Sequence, residues 1–82
     1  MNSTKTITQS WELQSILNTA KDLLATGATT ASTGQHIAAA LSLNRSDLLP
    51  VNYNNPIHAW EYLDPHWQQL VKTAQLELKS LY

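Results

Sequence analysis

Two Asx-Pro dipeptides, Asn55-Pro56 and Asp64-Pro65, constrain this chain more than any other feature. Asn and Asp are among the strongest helix N-caps, because their side-chain oxygen accepts from the orphan amides of the first turn. Proline is at home in the first helical position, where its missing N–H costs nothing. The pair therefore predicts two helix starts close together. After the first, Ile57, Trp60 and Leu63 form an apolar edge. After the second, Trp67, Leu70, Val71, Ala74, Leu78 and Leu81 recur at three and four along one face. One long helix kinked at Pro65 is the alternative over residues 56–82. Two helices are preferred, because Asp64 is so well suited to capping the second.

The N-terminal half repeats the helical period. Leu13, Ile16, Leu17, Ala20, Leu23 and Leu24 mark an amphipathic helix of about four turns, with Ser10 as its cap and Gly27 just past its end. Residues 1–9 are polar and read as a loose tail, leaving 10–82 as a single helical domain. Residues 28–32 form a small-residue linker with no pattern of their own. Between linker and Asx-Pro pair lies the run 33–50, TGQHIAAALSLNRSDLLP. Here Ile37 and Leu41 share a helix face, Ala38 permits close approach, and Ser42-Leu43-Asn44 interrupts the pattern. Asn44 is placed to cap a second helix from Arg45, with Asp47 in its first turn and Leu48 facing inward.

This run resembles the helix-turn-helix class through Ile37-Ala38, Leu41, Leu43, Arg45-Ser46 and Leu48, over about a fifth of the chain. The resemblance implies a corner of two helices and, if it extends to function, DNA contacts by Gln35, Asn44, Arg45 and Ser46, with the last helix pairing two copies. The chain departs from the class in two places. Ser42 stands where the turn usually has glycine, and Pro50 stops the second helix near Leu48 or Leu49. That leaves barely more than one turn to read bases, and Asp47 would meet phosphate with the wrong sign.

Charge argues the same way. The net charge is −1, and the full cations Lys5, Lys21, Arg45, Lys72 and Lys79 are scattered. A duplex binder normally presents a basic stripe. Nucleic acid is therefore possible but disfavoured, and anionic membranes are disfavoured too. With no cysteine, thiolate metal sites and cysteine nucleophiles are excluded. No apolar run approaches the roughly 20 residues of a membrane span, and the N-terminus lacks a signal's apolar core, so the expected compartment is the cytoplasm.

Few residues suggest chemistry. His58, Glu61, Asp64 and His66 form the nearest thing to a metal cluster, but Pro65 interrupts their convergence, and surface histidines beside a capping aspartate explain them as well. His36 reads as an exposed histidine near a helix start. Two glycines, Gly27 and Gly34, cannot make a phosphate loop. No cofactor, metal or enzymatic activity is expected. The aromatic residues say more. Trp11, Trp60 and Trp67 are expected to supply core area, with Trp11 or Trp67 between the outer helices. Tyr53, His58 and Tyr62 are expected to form an exposed patch, and Leu49 and Leu76 fall off the buried faces. These five are the candidate contacts of a protein partner or a homodimer.

The expectation is an all-α bundle of four to five helices around a helix-turn-helix-like corner. The expected role is a small regulatory or adaptor module working by protein–protein interaction or self-association. A helix-turn-helix DNA-binding regulator is the alternative.

Overall fold

The computed structural model describes residues 11–81. The polar tail and the Ser10 cap lie outside them, as does the side chain of Leu81. Among the described residues the chain forms four α-helices and no strand: α1 Trp11–Thr26, α2 Thr33–Ser42, α3 Pro56–Tyr62 and α4 Pro65–Leu81. Two single 3-10 turns, Ser46–Leu48 and Val51–Tyr53, lie between α2 and α3. It is a small all-α bundle.

In α1 the buried side chains Leu13, Ile16, Thr19, Ala20 and Leu23 form one face. The helix stops at Gly27, whose φ of 79° lies in the left-handed region and whose N–H donates to the Leu23 carbonyl at 2.8 Å. A single such bond is the αL form of helix ending. The linker has more order than its sequence suggests. Thr26 Oγ1 accepts from the Ala28 amide, Thr29 Oγ1 from the Ala31 amide, and Ser32 Oγ from the Gln35 amide, which makes Ser32 the N-cap of α2.

The second helix is the centre of the bundle. Ile37, Ala38, Ala39 and Ala40 are all fully buried. Four consecutive side chains are spaced over about 300° of the helix, so neighbouring protein covers nearly every side of this part of α2. Three alanines keep it thin enough for α1 and α4 to pack on either side. Ser42 is the buried polar exception, and its hydroxyl donates to the Ala38 carbonyl at 2.7 Å. Around α2 the core is completed by Leu13, Ile16 and Leu23 of α1, by Ala59 and Leu63 near the elbow, and by Val71, Ala74 and Leu78 of α4.

The sequence reading needs correcting after Ser42. Asn44 does not cap a following helix; it ends the preceding one. Its φ is 58°, its N–H donates to the Leu41 carbonyl, and the Arg45 N–H reaches back to the Ala40 carbonyl. Those two bonds are a Schellman motif, in which asparagine takes the left-handed place usually held by glycine. The expected second helix is one 3-10 turn, Ser46–Leu48. Pro50 then holds Leu49 extended, with φ −67° and ψ 154°. That geometry turns Leu49 into the core, only 8% exposed, while Leu48 is left half-buried. Leu49 is therefore not a surface contact.

Both Asx-Pro starts form as expected. Asn55 Oδ1 accepts from the Ile57 and His58 amides at 2.9 and 3.2 Å, and Asp64 Oδ1 from the Trp67 amide at 2.9 Å. Leu63 between them is extended, so α3 and α4 are two helices meeting at an elbow. Gln68 Nε2 closes that elbow by donating to the Trp60 carbonyl. The expected apolar edge of α3 holds at Leu63, which is buried, and at Trp60, half-buried against the core, but not at Ile57, which is 68% exposed while Ala59 goes inward. Trp60 and Trp67 are half-buried against the core, but Trp11 is 67% exposed and separates no helices. No helix among the described residues is long and apolar enough to cross a membrane.

Candidate interaction surfaces

Two open depressions flank α4, one near each end. The first lies where α1 begins, α2 begins and α3 meets α4. Trp11 borders it from α1, Gly34 and Gln35 from the first turn of α2, and Tyr62, Asp64 and Trp67 from the elbow. Its volume is about 470 Å³. The local sequence explains the assembly. The Asp64-Pro65 start brings Trp67 up one turn from the elbow, and Ser32 starts α2 beside it. The Tyr62 ring lies over Gly34, where a Cβ would sit at an ordinary contact distance of 3.7 Å from Tyr62 Cε1.

Behind this aromatic cleft, Tyr53 packs edge-on against Tyr62, with ring centroids 4.9 Å apart and planes at 61°. That is a favourable aromatic geometry, and it holds Tyr62 in place while leaving the ring half exposed. His58 is exposed one turn before Tyr62 on the same side of α3. Of the expected exposed group, Tyr53 and Tyr62 are in ring contact, but Tyr53 is half-buried against the core, and His58 does not line the cleft. Trp11 and Trp67 border the cleft with Tyr62, and the sequence reading had assigned both to the core. The exposure of Trp11 had no local signal, because the residue precedes the α1 apolar stripe by only two positions.

Among the described residues, the charged side chain that lines the cleft is acidic. Asp64 is at its border, and Glu61 is exposed on α3. Glu12 Oε2 lies 3.4 Å from His66 Nε2, joining the first turns of α1 and α4. A long, partly exposed pair of this kind contributes little stability. His66 thus faces Glu12 across the helix junction, and Asp64 is occupied as a cap. Among the described residues no group of three His, Cys, Asp or Glu side chains is placed to hold a metal ion. His36 is half-buried, contrary to the sequence reading, with Nε2 donating to the Leu48 carbonyl at 2.7 Å. It ties the returning chain to α2.

The second depression, about 490 Å³, runs between the end of α2 and the second half of α4. Leu43 and Asn44 form one wall, and Gln75, Leu76 and Lys79 the other. Leu76 is 70% exposed. Since Leu49 is buried, Leu49 and Leu76 do not make one patch.

The four candidate DNA contacts are divided. Gln35 borders the aromatic cleft, whereas Asn44 borders the second groove. They are nine positions apart, about 14 Å at a helical rise of 1.5 Å per residue. Arg45 is engaged within its own turn: Nε and Nη2 donate to the two Asp47 carboxylate oxygens at 2.9 and 2.8 Å. Those hydrogen bonds, with the Asp47 charge adding to them, hold the Arg45 proton more firmly than usual. They also lower the Asp47 carboxyl below its ordinary value of 3.8. Ser46 is exposed in the 3-10 turn that follows. Placed against known proteins, the chain matches no family model, no curated protein and no solved structure.

Proposed function

We propose that this is a small non-enzymatic interaction module of regulatory or adaptor type, acting in the cytoplasm by docking a protein partner, or a second copy of itself, at the aromatic cleft. One observation carries the reading. Trp11 and Tyr62, two large aromatic side chains, stand exposed beside half-buried Trp67 around a single opening. Tryptophan and tyrosine are the residue types that most often anchor protein interfaces, because they bury much area with little loss of side-chain freedom. The DNA-binding alternative has less behind it. The turn Ser46–Leu48 is too short to read several bases, Arg45 is paired with Asp47, and no basic stripe compensates.

A photoreactive residue placed at position 62 in the cell that makes the protein tests the reading. The same probe at Ala25, exposed near the end of α1 and lining neither opening, serves as the control. The expected result is one or a few discrete protein adducts at position 62 and none at position 25. Equal, diffuse labelling at both positions, or no adduct at all, would overturn it.

A further inference from the structure

The two openings differ in the sign of their charge, and an exposed leucine stands at one of them. At the second groove the one charged lining residue is Lys79, and Lys72 lies two turns earlier on the same side of α4. Leu76 stands between these two lysines, its side chain 70% exposed. It lies about 160° around the helix from buried Ala74, so it projects away from the core as an apolar knob between two cations. Glu77, the nearest carboxylate in sequence, is about 100° away around α4. The aromatic cleft has the opposite character: Asp64 is its charged lining residue, Glu61 and Glu12 are the chain neighbours of its Tyr62 and Trp11, and among the described residues no lysine or arginine lines it. At about 470 Å³ it is ample for a leucine side chain. Asp64 and Leu76 are twelve positions apart, about 18 Å along the helix, so one molecule offers both features without either blocking the other.

We infer that the partner of the aromatic cleft is a second copy of this chain, paired head to tail: Leu76 of one copy seats between Trp11, Tyr62 and Trp67 of the next, with Lys72 and Lys79 against Asp64, Glu61 and Glu12. This rests on the interaction reading given above and names its partner. Because the two contacting surfaces differ, the contact is heterologous, and each added copy leaves one knob and one cleft unused. Short open chains therefore form, growing with concentration and weakening as salt screens the charges.

Sedimentation velocity over a concentration series at low salt, with two blocked variants, tests it. Leu76→Asp removes the knob and keeps the cleft. Trp11→Ser opens the cleft and keeps the knob. Both positions are exposed, and circular dichroism checks that the helices persist. The wild type is expected to rise in mass with concentration. Each variant alone is expected to associate about thirtyfold more weakly or worse, the loss typical of an interface anchor. An equal mixture of the two variants is expected to form a 1:1 dimer and nothing larger, since only one productive contact remains. Lys72→Glu with Lys79→Glu serves as a second knob-blocking variant that leaves Leu76 in place.

A wild type that stays monomeric to millimolar concentration, variants that associate as the wild type does, or a mixture that forms no dimer would each overturn the pairing. If position 62 then still cross-links to a different protein, only the self-pairing falls. If it cross-links to nothing, the interaction reading falls with it.

Discussion

The two glycines separate backbone need from mere space. Gly27 has open space around it but a φ of +79°, and an L side chain there is strained whatever room it has. Gly34 has no such φ, and a Cβ would meet only the Tyr62 ring at ordinary contact distance. Gly27→Ala is expected to destabilise the fold by about 1–2 kcal/mol. Gly34→Ala is expected to be neutral or to stabilise by up to about 1 kcal/mol, by restricting the unfolded chain. Urea unfolding of both variants checks the contrast, and equal losses would contradict it. Gly27 was legible as a helix end because it follows directly on an apolar stripe. Asn44 was not, since asparagine both caps helix starts and tolerates the left-handed region. Only the bond from Arg45 back to Ala40 decides between those roles. Leu49 was misassigned for a related reason: a helical period was extended into a segment that makes one 3-10 turn and then straightens before Pro50.

Among the elements, the Asx-Pro starts were the most readable, because they bring their own cap and their own breaker. Asp64→Ala is expected to cost about 1 kcal/mol by freeing the Trp67 amide and removing a negative charge from the start of α4. A urea midpoint unchanged from wild type would show that Pro65 alone sets the elbow. The enclosure of α2 was only half visible. Ile37 and Leu41 suggested one buried face, and three neighbouring alanines gave no hydrophobic contrast by which to see that nearly every side is covered. The short helix α3 was harder still. With seven residues, the choice between Ile57 and Ala59 as its inward side is made by the elbow and by α2 rather than by periodicity.

For the whole molecule, the all-α class follows from repeated three-and-four spacing, and the bundle has that class. What surrounds the bundle is a matter of relative placement. Tyr53 and Tyr62 are nine positions apart in sequence and in ring contact in space. Trp11 meets the elbow only because the first turns of α1 and α4 lie together, joined by Glu12 and His66. No local pattern encodes that meeting, which is why Trp11 was first placed in the core and why Trp67, which does pack against the core, was not seen to border an opening as well. The account turns on the claim that this aromatic end is where a protein docks, and the three tryptophans are built-in reporters of it. Trp11 and Trp67 border the cleft, and Trp60 does not. The most direct measurement records the indole N–H signals of tryptophan-labelled protein, first dilute in buffer and then in extract of the cell that makes it. The expected result is selective shifting or broadening of the Trp11 and Trp67 signals while Trp60 stays in place. Three signals unchanged, or all three altered alike, would contradict the claim.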